Sequence, residues 1–159
     1  MNDSDNYNIK PPVKPVADDP VLTDDLLKEL LEGPNVAQYI ETAPAVEYDL
    51  PAYLKSLLKA KKRRRIDVVH AANLNETFGY QIFTGARNPS RDKVLQIAFG
   101  MPCTLRETQR MLKHARCNEL YIKNRRDAII AFCLEHGMSL AQTEEQLFRY
   151  NEDTIVSDK

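Results

Sequence analysis

The chain of 159 residues has no tryptophan, only 5 glycines and 3 cysteines, and no apolar run of the roughly 18 to 20 residues needed to span a bilayer. Scarce glycine speaks against a collagen-like chain, and 43% hydrophobic with 28% charged residues speaks against a wholly disordered one. Cys103, Cys117 and Cys133 are odd in number and widely spaced, unlike a disulfide framework or a paired CxxC metal site. They are expected to be reduced, partly buried thiols. The first 30 residues are acidic and lack the basic flank and apolar stretch of a secretory signal, so a cytoplasmic protein with no membrane association is expected.

Signatures of catalysis are missing as well. His70, His114 and His136 are the only histidines, none lies in an HExxH arrangement, and no glycine-rich phosphate loop precedes a basic nucleotide-binding residue. The expectation is therefore no enzyme activity, no cofactor and no metal, with these histidines and thiols serving as buried structural groups.

What the sequence does have is segregated charge. Residues 1–60 hold 5 Lys/Arg against 11 Asp/Glu, residues 61–125 hold 14 against 5, and residues 126–159 hold 3 against 7, so a formal net charge of -1 conceals a basic centre between acidic ends. Such a centre attracts a polyanion through counterion release, while acidic arms oppose indiscriminate binding or face another partner.

Helical spacing dominates. Residues 1–20, with Pro11, Pro12, Pro15 and Pro20, read as a flexible acidic tail. Thr23 or Asp24 can cap a short helix carrying Leu26, Leu27, Leu30 and Leu31, stopped by Gly33-Pro34; a second covers Asn35 to Glu41. Pro51 suits the first turn of a helix to about Lys59, with Tyr53, Leu54, Leu57 and Leu58 as its apolar stripe. The basic run Lys61 to Arg65 leads into a short helix through Ala72, burying Ile66, Val69 and Val68. Asn73 fits a left-handed corner, Asn75 caps the next helix, and Gly85 ends it near Thr84. Ser90 opens another, with Val94, Leu95, Ile97, Ala98 and Phe99 buried.

Farther on, Gly100 to Thr108 resembles Gly137 to Thr143 with two residues fewer before the leucine. Thr104 with Glu107, and Ser139 with Gln142, match capping boxes. Arg125 to Leu134 reads as one more helix, and Asn151 to Lys159 as frayed. The sum is an all-α protein of about seven to nine helices. Its expected domains are the tail 1–20, a short helical appendage 21–48, a helix-turn-helix unit 49–116, a helical extension 117–151 packed on the same core, and a frayed tail 152–159.

The span Tyr53 to Leu112 resembles the lambda-repressor and Cro-type helix-turn-helix family, often called XRE-like. The residues that carry the resemblance run from Arg65 through Val69, Ala72-Asn73-Leu74-Asn75 and Glu76 to Gly85, then Arg87 to Ser90. The stretch beyond, with Asn124 to Ile130 and His136-Gly137, is similar to the helical extension of a bacterial subgroup. Two positions depart from the pattern: Asn73 stands where the family has glycine, and Gly79 stands at a core position. A glycine inside a helix costs roughly 1 kcal/mol relative to alanine, and Phe78 or Tyr80 is expected to fill the space it leaves, unless the reading helix is loosened.

The resemblance implies a transcriptional regulator binding double-stranded DNA; because one short reading helix specifies little alone, and because there are further C-terminal helices, a homodimer matching two half-sites is expected. The resemblance places Glu76, Thr77, Tyr80 and Gln81 toward base edges in the major groove, and Arg64, Arg65, Asn75, Arg87, Asn88, Ser90 and Arg91 toward phosphates. The other function class, suggested by the acidic ends and the extra helices, is a helical protein-interaction module on the same scaffold. A signalling or regulatory protein is the partner either reading leaves room for.

Overall fold

A computed structural model describes residues 20–42 and 47–157, whose regular elements are all α-helices, with no strand among them. The proposed tail at residues 1–19 and the chain end at 158–159 lie outside the described residues. Contacts divide the chain into two units, Met1–Glu47 and Tyr48–Lys159.

In the first unit, α1 (Pro20–Glu32) and α2 (Val36–Thr42) pack on each other. The helix begins at Pro20 and not at the Thr23/Asp24 cap expected above: proline lacks the amide that a first turn leaves unused and its φ is already helical, so it starts this helix and does not break it. The Asn35 side chain accepts from the Gln38 amide at 2.9 Å and caps α2, which buries no residue.

The second unit is built from α3 (Leu50–Lys61), α4 (Arg65–Ala71), α5 (Glu76–Thr84), α6 (Arg91–Gly100), α7 (Leu105–His114), α8 (Arg125–Glu135) and α9 (Leu140–Arg149). Helix α3 is capped by Asp49, which accepts from the Ala52 amide, and is closed by Lys62 at φ 54°. Its Leu54 and Leu57 are buried, and α3 packs on α5 and α7. Helix α4 buries Val68 and Val69 but leaves Ile66 exposed, because it meets α5 and α6 on one side only. Between α4 and α5, Asn73 adopts φ 59°, the left-handed corner expected of it. Asn75 then caps α5 through the Phe78 amide, and Gly85 at φ 88° ends it.

Helix α6 lies at the centre, buried from Val94 to Gly100 between α4 on one side and α7 and α9 on the other. The approach to α4 is close: a Cβ on Gly100 would stand 2.7 Å from the Val68 carbonyl oxygen and 2.9 Å from Ala72 Cβ. Gln96, fully buried, donates to the Ala72 carbonyl at 2.8 Å and so ties α6 to the end of α4.

The α6–α7 and α8–α9 hairpins are the same structure at an offset of 35 residues. Both expected capping boxes form, Thr104 with Glu107 and Ser139 with Gln142. Thr108 and Thr143 are buried and each donates its hydroxyl to the carbonyl four residues back. After each second helix the chain turns through a left-handed residue, Arg116 at φ 62° and Asn151 at φ 60°. A side chain from that helix then holds the following strip: Gln109 exchanges two hydrogen bonds with Leu120, and Glu144 accepts from the amides of Ile155 and Val156. Arg91 donates to the carbonyls of Asn118 and Glu119, and Arg126 to those of Asp153 and Thr154. The arginines also exchange partners, Arg91 with Asp127 and Arg126 with Asp92. Helix α6 packs on α9 and α7 on α8, so the hairpins face each other reciprocally.

This register corrects two expectations. The Gly-Met match is out of phase, since Thr104 corresponds to Ser139 and Gly137 therefore to Pro102. The segment after α9 is not frayed: Ile155 is 1% exposed and Glu144 and Arg126 hold its backbone. The first hairpin likewise runs through Leu120, past the expected boundary at 116/117. No helix among the described residues is long and apolar enough to cross a membrane.

Candidate nucleic-acid interface

The side chains of interest stand on α4, on α5 and on the connection to α6. The α5 amphipathic pattern buries Ile82 and Phe83 and leaves Glu76, Thr77 and Tyr80 exposed. Gly79 sits where α5 meets α4: a Cβ there would come within 2.7 Å of both Val69 methyl groups. Val69, and not Phe78 or Tyr80, occupies the space that glycine frees, so Gly79 brings the two helices close together and leaves no void.

Glu76, Thr77 and Tyr80 line one open groove of about 520 Å³ together with Arg64, Arg65, Ile66 and Val69. The Arg65 guanidinium lies 4.3 Å over the Tyr80 ring, a cation–π contact that steadies both. His70 Nε2 and Glu76 Oε2 are 2.8 Å apart. Arg64 holds Asp67 through two hydrogen bonds of 2.8 and 3.0 Å, and those bonds keep the Asp67 carboxyl below the usual carboxylate range. Both ends of that pair are exposed, so a polyanion can compete for the guanidinium.

The remaining predicted residues fall into three groups. Gln81 accepts from Arg87 Nε at 3.1 Å, and Arg87 also lies 5.4 Å over the Phe78 ring, so these two form a cluster of their own with Lys93, 6.0 Å over the same ring. Asn88 and Ser90 are exposed on the connection, Ser90 at the α6 cap position without a side-chain capping bond, while the Asn75 carbonyl is engaged in capping α5. Arg91 departs from its assignment. Its guanidinium makes four hydrogen bonds inside the protein, to both Asp127 oxygens and two carbonyls, which leaves it serving the junction of the hairpins and not a phosphate.

Sequence reasoning passed over His70 and Lys93 as members of this surface. Lys93 was legible as part of the basic segment, whereas the His70–Glu76 pair depends on the corner that folds α5 back against α4. The histidines are not buried groups as expected: His70 and His136 are exposed, and His114 is half-buried, accepting from the Asp49 amide and stacked on Tyr53. Cys103 and Cys133 are buried, and burial pushes the Cys103 thiol up to about 12 and the Cys117 and Cys133 thiols above their ordinary value. All three are poor nucleophiles for that reason.

No protein-family model matches the chain, and neither do any curated protein or solved structure.

Proposed function

We propose that the chain is a sequence-specific regulator of the XRE-like helix-turn-helix type, entering the major groove of duplex DNA with α5 and binding as a homodimer. The observation that carries the reading is the exposed row Glu76, Thr77 and Tyr80 on a short helix seated against α4 through Gly79, with Arg64 and Arg65 lining the same groove. These side chains offer the mixture that discriminates bases: an acceptor suited to cytosine N4 in Glu76, a hydroxyl and methyl in Thr77, and an amide in Gln81 suited to adenine. Arg87, fixed to Gln81 and Phe78, orients that amide; on DNA its guanidinium turns to a phosphate and frees the Gln81 oxygen. Arg64, Arg65, Asn75, Asn88 and Ser90 supply backbone contacts, Lys93 joins them, and Arg91 does not. A cytoplasmic protein with no cofactor and no catalytic step suffices for this role.

The test is selection of random duplex DNA by the full chain at near-physiological salt. One enriched motif, as two inverted half-sites about 34 to 36 Å apart, is the expected result. Folded protein that enriches nothing over input sinks the reading. Thr77→Ala and Gln81→Ala are expected to relax preference at separate positions by about 1–3 kcal/mol each.

A second reading, a helical interaction module, has its own observation: Leu27, Leu31, Val36 and Ile40 of the first unit are all more than half exposed. A co-purifying protein partner together with absent DNA selection favours it.

A further inference from the structure

The two hairpins are alike in fold and unlike in cover. On α6 and its cap, Ser90, Lys93, Ile97 and Gly100 share one side, along which Ile97 is 1% exposed and Gly100 is buried against Val68 and Ala72 of the α4 segment. The equivalent row on α8 is Arg125, Ala128, Phe132 and Glu135, and among the described helices of the second unit α8 packs on α9 and α7, with none in the place that α4 takes on α6. Phe132 is accordingly 57% exposed, stacked on His136 with ring centroids 3.9 Å apart. Yet α8 reads Ala128-Ile129-Ile130-Ala131-Phe132-Cys133-Leu134, apolar on all sides as in a helix covered on both.

We propose that this outward face of α8 is a self-association surface occupied by the α8 of a second copy, running antiparallel. The row has the spacing of a helix–helix seam, three, four and three residues apart. It is also self-complementary about its midpoint. Reversing a second copy sets the large Phe132 of each chain over the small, half-buried Ala128 of the other, and the Arg125 of each beside the Glu135 of the other. A two-fold interface demands that each contact occur twice in this way, and an unrelated partner has no reason to match both size and charge. Arg125 already donates to the Tyr150 carbonyl and lies 3.5 Å from Glu152, which fixes its direction and leaves further N–H groups to donate. Glu135 stands where the first hairpin has Gly100, so the second copy packs at a wider separation than α4 does. One short seam is small beside the standard interface of roughly 800 Å² per partner, so a reversible pairing is expected.

This gives the homodimer proposed above a surface and rests on that pairing, but none of its residues belongs to the α4–α5 groove. The experiment is sedimentation of the full chain over a range of micromolar concentrations without DNA. A reversible dimer is expected in the wild type, weakened at least about tenfold by Phe132→Glu, as for loss of a central interface anchor. Glu135→Arg, which sets like charges together, weakens it too, and adding Arg125→Glu to that variant restores it. Circular dichroism reports whether each variant is folded. Should Phe132→Glu not fold, the charge reversal alone decides. A wild type that stays monomeric, a folded Phe132→Glu chain that pairs normally, or a double reversal that restores nothing overturns the proposal. A wild type that pairs as expected but selects no DNA strikes only the DNA reading.

Discussion

The two hairpins of the second unit share capping boxes, turns and arginine clamps, and differ in what lies over their first helices. Helix α6 is enclosed by α4 and carries glycine at the closest approach, while α8 carries glutamate at the equivalent position and exposes a phenylalanine. One local sequence logic thus builds the same element twice, while its neighbours decide whether the element becomes interior or surface. It also separates the arginine pairs: Asp127 is buried at the junction, whereas Asp92 has a side chain 41% exposed.

That asymmetry sets the largest expected effect. Asp127→Ala strands Arg91 and the Tyr121 amide and is expected to cost about 3 kcal/mol, in the range for breaking a buried pair, against less than about 1 kcal/mol for Asp92→Ala. Urea unfolding measures both, and equal losses would mean that the two clamps are energetically alike. Burial works against the charge on Asp127, but hydrogen bonds from Arg91 and the Tyr121 amide outweigh it and hold the carboxyl below the ordinary range. A carboxylate with a lowered folded pKa contributes stability that is complete above its unfolded value, near 3.9, and lost as pH falls through the folded one. The gap between wild type and Asp127→Asn should therefore be constant near neutral pH and close only in acid below about pH 4.

Next comes the cover itself. Gly100→Ala drives a methyl into the Val68 carbonyl and is expected to cost about 2 kcal/mol net of the better helix propensity of alanine, while Glu135→Ala should change stability by less than about 0.5 kcal/mol. Thermal unfolding compares them. A harmless Gly100→Ala would show that α4 yields easily and that the contrast between the hairpins is shallower than their burial implies.

Gly79→Ala meets side-chain methyl groups and not backbone, so its cost should be smaller, about 1 kcal/mol, and Val69→Ala in the same chain should remove most of it. The non-additivity is the readout; strictly additive losses would rule out direct contact. Glu144→Gln gives the second hairpin the amide that the first has at Gln109, and should cost under about 1 kcal/mol by losing one of two accepted amide bonds. Hydrogen exchange at Ile155 and Val156 should speed up while that at Leu120 stays unchanged.

Much of this architecture was written locally. The Asn73 corner, the caps at Asn75, Thr104 and Ser139, and the stop at Gly85 were legible because each depends on one residue's conformational range or on a side chain reaching its own helix end. The candidate surface was legible in part, since periodicity separates Ile82 and Phe83 from Thr77 and Tyr80. Pro20 misled because a proline that ends one element also begins another.

Where helices start, stop and turn their apolar sides is set by the chain locally, since those choices are made within a few residues. Only the tertiary structure decided that Val69 fills the place of Gly79, that Arg91 belongs to Asp127, that Ile155 closes the core, and that Phe132 faces outward while Ile97 faces in. Each of these joins residues distant in the chain or depends on which neighbour covers a helix, and the same side chain serves a core, a clamp or a surface according to what packing sets beside it.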